Sequence, residues 1–320
     1  MSFRILGTGS YLPSRVVSNH ELSAFIDTSD EWITQRVGVR ERRVCTTETT
    51  ANLAYNAAMA ALEMSGVRPD ELDMIICATV SADNAAPSLA CSLQSMLVAQ
   101  CPAMDINAAC SGFIYALDTA AGFFARGAKR ILVVGAERLS GLIDWSDRGT
   151  AVIFGDGAGA AVLGEGNEYL ASKLYARGND KVLSIPNRAG SSPFYENKPA
   201  EPYIHMNGQE TFKFAVNAMY KDLTDVVCAA GLTMEDIVWV VPHQANSRII
   251  DASAKKLGIP PERCLKNIDK TGNTSAASIP ILFDELCRSG HLRDGDNIAM
   301  CSFGAGLTSA ACVIKWRAEN

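Results

Sequence analysis

Cys110 is the residue of this sequence whose surroundings best suit covalent chemistry. It lies in MDINAACSGFIYALDTAAGFF, where a short strand-like stretch leads through Cys-Ser-Gly into an amphipathic helix. A thiol at a helix N-terminus is favoured as the thiolate, because the helix dipole and the free N–H groups lower its pKa. Small neighbours on both sides leave room for a substrate. We therefore predict a nucleophile; the alternative is a buried structural cysteine, which is what we expect for most of the other cysteines.

Two polar residues further along the chain are candidates to serve such a nucleophile. His243 follows the apolar stretch VWVVP, and active sites of open α/β sheets gather at the carboxyl ends of strands. Asn273 lies in DKTGNTSAASIP, which leads into a helix of small residues. The alternatives are a structural histidine and an asparagine of a turn or cap. From the residues alone, Cys110 is thus a candidate nucleophile, and His243 and Asn273 are candidate partners for it.

The glycine-rich segments do not predict a nucleotide site. Gly7-Thr-Gly9 is followed by Tyr-Leu-Pro rather than by a helix, and GDGAGAA (155–161) has the wrong spacing for a dinucleotide fingerprint. No Gly-Lys-Ser/Thr of a P-loop occurs. SFGAGLTS (302–309) could present the backbone N–H of Gly306 to an oxyanion, as acyl transfer requires. A tight turn is the alternative for that segment, and the sequence does not decide between the two.

A basic stripe marks the helical pattern that follows His243. Arg248 and Lys255 are seven residues apart and share a face, with Lys256 beside them. The other side of the helix is apolar. Such a stripe is usually only solvated, but next to an active site it could receive an acidic partner.

Short apolar runs alternate with longer helical patterns, which predicts an α/β protein that positions these residues. The apolar runs predict buried strands at 74–80, 131–135, 158–163, 237–241 and 298–301. The helical patterns cover 51–66, 111–126, 210–231, 247–258 and 276–289.

Three pairs of segments repeat in the same order along the chain. They are SGVRPDELDMII (65–76) with AGLTMEDIVWVV (230–241), FGDGAGAAVL (154–163) with FGAGLTSAACVI (303–314), and DINAACSG (105–112) with NIDKTGNTS (267–275). We predict two similar halves: 1–170, which carries the nucleophile, and 171–320, which carries the histidine and the asparagine. Related halves would bring their strand-end loops to one shared site. A compositional likeness between unrelated α/β units is the alternative.

The amino-acid composition and the net charge argue against several classes of protein. The 320 residues are 48% hydrophobic and 20% charged, which suits a folded core. A net charge of −6 argues against nucleic-acid binding. The ten cysteines include no CxxC pair, and the N-terminal residues show no signal-peptide pattern. Both features predict a protein of the reducing cytoplasm. No apolar stretch reaches the roughly 18–20 residues of a membrane span, so no membrane association is expected.

Seven segments together resemble the ketoacyl synthase III family of the thiolase superfamily. They run through essentially the whole chain: DTSDEWITQRVGVRERR (27–43), NAACSGF (107–113), SDRGTAVIFGDGAGAAVL (146–163), HMNGQETFKFAV (205–216), PHQAN (242–246), GNTSAAS (272–278) and FGAGLT (303–308). The resemblance implies an α/β fold of the thiolase type, a five-layer αβαβα sandwich of two similar halves. It also implies a homodimer and a reaction that needs no metal or redox cofactor.

The chemistry implied by the resemblance is an initiating decarboxylative condensation in fatty acid biosynthesis. Cys110 would take an acyl group from acyl-CoA, with backbone N–H groups of Cys110 and Gly306 as the oxyanion hole. Malonyl-acyl carrier protein would then lose carbon dioxide, while His243 and Asn273 donate hydrogen bonds to the enolate oxygen. Neutral His243 would suit that role. The product would be a 3-oxoacyl-acyl carrier protein.

The resemblance also implies binding roles for residues outside the catalytic trio. Trp32 and Arg148 would hold the CoA adenine between them. Other residues would line the CoA and pantetheine path, namely Thr28, Arg36, Gly208 and Asn246. Four basic residues would meet the acidic carrier protein, namely Lys213, Arg248, Lys255 and Lys256.

The sequence departs from some family members in DNAAPSLAC (83–91), where Ala86 precedes Pro87. Some members carry an aromatic residue there, which reaches across the dimer to shape the acyl pocket. A small residue removes bulk, so we expect tolerance of primers beyond acetyl, including short and branched acyl groups.

Other activities of the same fold are the alternatives. Thiolases use a second cysteine and elongating ketosynthases use two histidines, so Asn273 favours the initiating type. Type III polyketide synthases share the three residue types but differ elsewhere in sequence. A specialised member that transfers an acyl group to a small acceptor, or acts in secondary metabolism, is the second hypothesis. A catalytically inactive partner subunit would typically lose the nucleophile, which this chain keeps.

Overall fold

The computed structural model describes residues 2–187, 194 and 201–317. These residues form strands β1 (Ser2–Tyr11), β2 (Val16–Ser18), β3 (Glu41–Arg43), β4 (Met74–Ala78), β5 (Ala103–Ile106), β6 (Arg130–Arg138), β7 (Asp156–Gly166), β8 (Tyr169–Ala176), β9 (Leu183–Ser184), β10 (His205–Met206), β11 (Ile237–Pro242), β12 (Asn297–Gly304) and β13 (Thr308–Lys315).

Helices alternate with the strands along the chain. They are α1 (Asn19–Leu22), α2 (Asp30–Arg36), α3 (Thr50–Ser65), α4 (Leu89–Leu97), α5 (Gly112–Ala125), α6 (Arg148–Ala151), α7 (Gly208–Ala229), α8 (Ser247–Leu257), α9 (Ile268–Thr271) and α10 (Ser278–Arg288). Short 3₁₀ turns include Ala109–Ser111 and Ser275–Ala277, which precede α5 and α10. The ten strands and helices predicted from periodicity are all present, within a few residues at their ends.

Two main sheets share one topology. The first has the strand order β1-β7-β6-β4-β5 and the second β8-β13-β12-β11. Each sheet contains a corresponding parallel pairing, β4 with β6 in the first sheet and β11 with β12 in the second. The next pairings, β6 with β7 and β12 with β13, are antiparallel, and so are those of β7 with β1 and β13 with β8. The strands that correspond between the two sheets follow one another along the chain in the same order as the three repeated pairs of segments. The division at residue 170 stays a prediction, although β8 is the first strand of the second sheet.

The two sheets and their helices stack in five layers. Helices α5 and α10 lie between the sheets, where Ile114 and Phe283 belong to one buried cluster with Val133 of the first sheet and Met300 of the second. Helices α3 and α4 cover the outer face of the first sheet, and α7 and α8 cover that of the second. The predicted αβαβα sandwich is therefore confirmed. Among the described residues, none of the helices combines the length and apolar character that a membrane crossing requires.

Helix α3 approaches β1 closely because β1 carries two glycines. A Cβ atom on Gly9 would lie 2.4 Å from the carbonyl oxygen of Ala57, and one on Gly7 would lie 2.7 Å from that of Ala61. Such distances exclude any side chain at these two positions. Gly7-Thr-Gly9 therefore serves helix–strand packing, in agreement with the exclusion of a nucleotide motif.

Candidate active site

Cys110 lies on the 3₁₀ turn that leads into α5, directly against the end of β12. Its side chain is 8% exposed and lines a largely apolar cavity. A Cβ atom on Gly304 would lie 2.7 Å from the backbone nitrogen of Cys110, so only glycine fits where β12 meets the turn. The close approach fixes the thiol at the bottom of the cavity.

Burial determines the ionisation of this thiol. It raises the pKa of Cys110 to about 12, and a hydrogen bond from Ser275 only partly opposes it. The expectation of a thiolate, based on the helix N-terminus, is therefore wrong for the resting site. Desolvation of the largely buried sulfur opposes the effect of the helix N-terminus, so Cys110 rests as a thiol.

His243 directly follows β11 and is 1% exposed. Its backbone N–H donates to the carbonyl oxygen of Cys301 at 2.8 Å. Its ring nitrogen Nδ1 lies 2.6 Å from the hydroxyl oxygen of Ser278. Burial lowers the pKa of His243 to about 3, so the imidazole is neutral at physiological pH. It lines the same cavity as Cys110.

Asn273 reaches the cavity from a segment that crosses between the two halves. Its backbone N–H donates to the carbonyl oxygen of Ile153 at 2.9 Å, and its carbonyl oxygen accepts from the N–H of Gly155 at 3.0 Å. The side-chain Oδ1 accepts from the backbone N–H of Ser275 at 2.8 Å. The Nδ2 group is thereby oriented as a donor for the cavity that Asn273 lines.

The same turn occurs in the first half, one repeat away. There Oδ1 of Asn107 accepts from the N–H of Ala109 at 3.3 Å. Ala109 and Ser275 both adopt left-handed backbone angles, with φ of 47° and 48°. The structural equivalent of Asn273 is therefore Asn107, three residues before Cys110, which refines the third pair of repeated segments.

The cavity that joins the three residues has mainly apolar walls. Its lining includes Val80, Leu139, Phe154, Ile204, Met206 and Phe212. Such walls suit acyl and pantetheine chains and exclude water from the reacting groups. Within residues 2–187, 194 and 201–317, no cluster of three or more His, Cys, Asp or Glu side chains is placed to hold a metal ion.

The structure does not bring Gly306 to the cavity. The residues of this segment that line it are Gly304 and Ala305. Gly306 lies in the turn between β12 and β13, where its φ is 137° and its carbonyl oxygen accepts from the N–H of Asn179. Because Gly304 and Ala305 line the cavity and Gly306 does not, these two residues are better placed than Gly306 for the predicted oxyanion role, which stays a prediction.

The residues predicted for CoA divide into two groups. Gly208 and Asn246 line the cavity, and Nδ2 of Asn246 donates to the carbonyl oxygen of Arg36 at 3.1 Å. Arg148 and Trp32 meet further out, with the guanidinium carbon 4.9 Å from the indole centroid. The two side chains contact each other directly, so an adenine between them requires Arg148 to move.

Thr28 lies next to this pair, directly after Asp27, whose backbone carbonyl oxygen accepts from Arg148 at 2.9 Å. Its Oγ1 is buried and has no hydrogen-bond partner. An unpaired buried hydroxyl is unusual in a folded protein. The role of Thr28 in ligand binding stays a prediction.

The four basic residues lie on neighbouring exposed helices. Lys213 is on α7, and Arg248, Lys255 and Lys256 are on α8, which packs against α7. The guanidinium of Arg248 lies 5.8 Å from the ring centroid of Phe212, a residue of the cavity wall. The basic surface therefore adjoins the cavity.

Ala86 is exposed and is not among the residues that line this cavity. Its predicted influence on the acyl pocket requires a second copy of the chain and stays a prediction.

Three polar residues of the site were missed from sequence: Ser275, Ser278 and Glu137. Ser275 and Ser278 belong to GNTSAAS, a run of small residues in which neither the Ser275 contribution to the cavity lining nor the Ser278 contact with His243 was recognised. Glu137 follows the apolar run ILVVGA, and an acidic residue at the carboxyl end of a buried strand was the available signal.

Comparison with known proteins identifies the family. The family described as 3-oxoacyl-[acyl-carrier-protein (ACP)] synthase III matches residues 104–178, and its C-terminal counterpart matches residues 227–316. A protein of Clostridium acetobutylicum named beta-ketoacyl-[acyl-carrier-protein] synthase III is 46% identical, over 98% of this chain and 99% of its own length.

Solved structures extend the similarity to the whole fold. The crystal structure of 3-oxoacyl-[acyl-carrier-protein] synthase III from Aquifex aeolicus VF5 is 46% identical, with a TM-score of 0.92 over 98% of this chain and 100% of that chain. The priming beta-ketosynthase from the R1128 polyketide biosynthetic pathway is 36% identical, with a TM-score of 0.92 over 99% and 96%. This chain belongs to the 3-oxoacyl-[acyl-carrier-protein] synthase III family.

Proposed function

We propose that this protein is an initiating condensing enzyme of fatty acid biosynthesis, an acyltransferase that joins an acyl-CoA primer to malonyl-acyl carrier protein. One observation carries the proposal: Cys110, neutral His243 and Asn273 come from three distant segments and meet around a single apolar cavity. The names of the relatives that are about half identical over nearly their whole length point to the same reaction.

The first half-reaction would transfer the acyl group to the enzyme. The thiol of Cys110 gives up its proton to solvent as its sulfur attacks the thioester carbonyl, the C–S bond to CoA breaks, and CoA leaves as a thiolate that takes up a proton in turn. Negative charge develops on the carbonyl oxygen, which backbone N–H groups can stabilise. We assign this role to the N–H groups of Cys110 and of Gly304 or Ala305, because these residues line the cavity.

The second half-reaction would form the carbon–carbon bond. Loss of carbon dioxide from the malonyl group leaves its electron pair as an enolate, whose oxygen accepts hydrogen bonds from His243 and Asn273. Neutral His243 donates from Nε2 when its Nδ1 accepts from Ser278, and Asn273 donates from Nδ2. The enolate carbon attacks acyl-Cys110 and expels the cysteine sulfur. Each step moves only protons and electron pairs of the substrates, so the proposed reaction needs no metal or redox cofactor.

The residues around the cavity are suited to bind the two proposed substrates, acyl-CoA and malonyl-acyl carrier protein. Gly208 and Asn246 on its wall, with Trp32 and Arg148 beyond, would bind CoA. The basic surface of α7 and α8 would bind the carrier protein, because exposed lysine and arginine side chains attract an acidic partner. Its position beside the cavity suits a carrier that delivers its thioester to Cys110.

We further propose a homodimer in the cytoplasm. Strand β5 is the outer strand of the first sheet, and its four residues are all half-buried. An edge strand of this kind can pair with a second chain. All ten cysteines are free thiols, as a reducing compartment would keep them. The molar mass in solution tests the dimer.

A specialised transferase is the second candidate. The R1128 priming ketosynthase, which matches this chain along nearly its full length, is named for a polyketide pathway. The same catalytic geometry could therefore serve another acceptor.

Intact-mass analysis separates these possibilities. The protein is mixed with a panel of acyl-CoAs and then with malonyl-acyl carrier protein, and Cys110→Ala serves as the control. We expect an adduct that needs Cys110 and that is transferred to the carrier as a 3-oxoacyl group. An adduct that malonyl-acyl carrier protein leaves untouched would support the specialised transferase instead, and no adduct at all would refute both.

The same panel tests the small residue at position 86. We expect acylation by primers of four to six carbons as well as by acetyl-CoA. Rejection of every primer longer than acetyl in direct competition would contradict this expectation.

A further inference from the structure

Gln244 directly follows His243 in the chain, but its side chain does not line the cavity. His243 and Ala245 are among the lining residues, whereas Gln244 is 0% exposed and is not one of them. A buried carboxamide needs partners for two N–H donors and for an oxygen that can accept two hydrogen bonds. The proposed reaction gives this side chain no task, so its partners indicate its role.

Every hydrogen-bonding position of the Gln244 carboxamide is occupied. Its Nε2 donates to the carbonyl oxygen of Pro242 at 2.9 Å and to that of Leu265 at 3.3 Å. Its Oε1 accepts from the backbone N–H of Asn267 at 3.0 Å and from that of Ile268 at 3.2 Å. All the partners are backbone groups, so the side chain holds the end of β11 against the start of α9.

Helix α9 connects the start that Gln244 holds to Asn273. It is a single turn, in which the carbonyl oxygen of Asn267 accepts from the N–H of Thr271 at 3.2 Å and that of Ile268 accepts from the N–H of Gly272 at 3.0 Å. Asn273 is the next residue of the chain. Only one hydrogen-bonded turn therefore separates the asparagine from the backbone groups that bind the carboxamide.

The end of β11 carries the histidine. Pro242, whose carbonyl oxygen accepts from Nε2 of Gln244, immediately precedes His243. On the other side, the backbone N–H of Gln244 donates to Oγ of Ser278 at 3.4 Å, and the same oxygen lies 2.6 Å from Nδ1 of His243. The backbone is thus anchored on both sides of the histidine.

We propose that Gln244 is a positioning residue that fixes the separation of His243 and Asn273. This inference rests on the proposed function, in which both side chains donate a hydrogen bond to one enolate oxygen. Two donors can serve the same oxygen only while each stays about 2.7–3.1 Å from it. The backbone partners of the carboxamide belong neither to the turn that carries Cys110 nor to β12, so acylation does not depend on them.

Gln244→Met tests this role in the two half-reactions. Methionine has a similar length and no charge, but it forms none of the hydrogen bonds of the carboxamide. A displacement of about 1 Å between the two donors should slow the release of carbon dioxide from malonyl-acyl carrier protein by the acylated protein about 100-fold. The rate of Cys110 acylation by acyl-CoA should stay within about twofold of wild type. Equal losses in both half-reactions, or an unchanged release of carbon dioxide, would overturn the proposal.

Two further variants sharpen the comparison. Gln244→Glu keeps the oxygen that accepts from the start of α9, but an ionised carboxylate cannot donate to the two carbonyl groups, so we expect the same selective loss. Gln94→Met is the matched control, because Nε2 of Gln94 donates to the carbonyl oxygen of Ala99 at 2.6 Å on a helix of the other half. It should change neither half-reaction. A selective loss of decarboxylation in Gln94→Met would contradict the assignment to Gln244.

Amide hydrogen exchange of the wild-type protein tests the contacts even if no variant folds. The N–H groups of Asn267 and Ile268 lie outside the main sheets, yet they should exchange at least about 100-fold more slowly than that of the exposed loop residue Asn84. Exchange as fast as at Asn84 would refute the proposal. If the wild-type protein released no carbon dioxide, the proposed function would fail, whereas unchanged release in Gln244→Met would refute this inference alone.

Discussion

The hydroxyl oxygen of Ser278 lies 2.6 Å from Nδ1 of His243, and it also accepts a hydrogen bond from the N–H of Gln244 at 3.4 Å. With the Gln244 N–H as its donor, the Ser278 hydroxyl is free to donate its own proton to Nδ1. The imidazole proton is then held on Nε2. One serine on the first turn of α10 therefore favours the tautomer that the proposed hydrogen bond from His243 to an enolate oxygen requires.

Replacement of Ser278 by alanine should impair decarboxylation more than acylation. Loss of one buried hydrogen bond costs about 1.5 kcal/mol, which corresponds to roughly a 10-fold slower release of carbon dioxide from malonyl-acyl carrier protein. Acylation of Cys110 by acyl-CoA should keep its wild-type rate and provides the control. Equal losses in both half-reactions would show that Ser278 maintains the fold rather than the tautomer.

Burial of neutral His243 should make the protein less stable in mild acid. Below pH 6.5 the unfolded chain binds a proton at this histidine, while the folded protein, with its pKa lowered to about 3, does not. The free energy of unfolding therefore falls with decreasing pH by about 1.4 kcal/mol per pH unit from this group. Urea unfolding at pH 6.5 and 5.0 should show a loss about 2 kcal/mol smaller for His243→Gln than for wild type. Identical losses would contradict the lowered pKa.

Two glycine-to-alanine substitutions should have contrasting consequences, since one should impair acylation and the other should stabilise the fold. Gly304→Ala places a Cβ atom 2.7 Å from the backbone nitrogen of Cys110, so the nucleophile must shift. A displacement of about 1 Å should slow acylation about 100-fold. Gly122→Ala on α5 meets nothing within 4 Å and should stabilise the protein by up to about 1 kcal/mol. Single-turnover acylation and thermal unfolding of both variants check this contrast, and wild-type acylation by Gly304→Ala would refute it.

Charge reversal on α8 should weaken the encounter with the carrier protein. For the double variant Lys255→Glu, Lys256→Glu we expect KM for malonyl-acyl carrier protein to rise about 10-fold at low salt, with little change in kcat. The difference should shrink in about 0.5 M salt. Lys129→Glu, an exposed lysine outside this surface, is the matched control. A rise in KM for acyl-CoA instead would assign the basic surface to CoA.

From the sequence alone, the main strands and helices and the candidate reacting groups could be predicted. Periodicity located the main strands and helices because a buried strand and an amphipathic helix each leave a regular apolar pattern. The repeated segments predicted two similar halves, and the motifs around Cys110, His243 and Asn273 identified the family. These features are local, so each can be recognised within a short stretch of chain.

How those groups behave depends on contacts that form only in the folded chain. Whether Cys110 rests as a thiol depends on the burial created by both halves, and this outweighs the helix N-terminus visible in the sequence. Which residues at the end of β12 and after it reach the cavity is likewise set by the folded chain, because Gly304 and Ala305 line it and Gly306 does not. The hydrogen-bond partners of Glu137, in the segment from Thr79 to Ser81, are also distant in sequence. Desolvation and hydrogen bonding act between atoms that only the folded chain brings together, and therefore no local pattern could predict them.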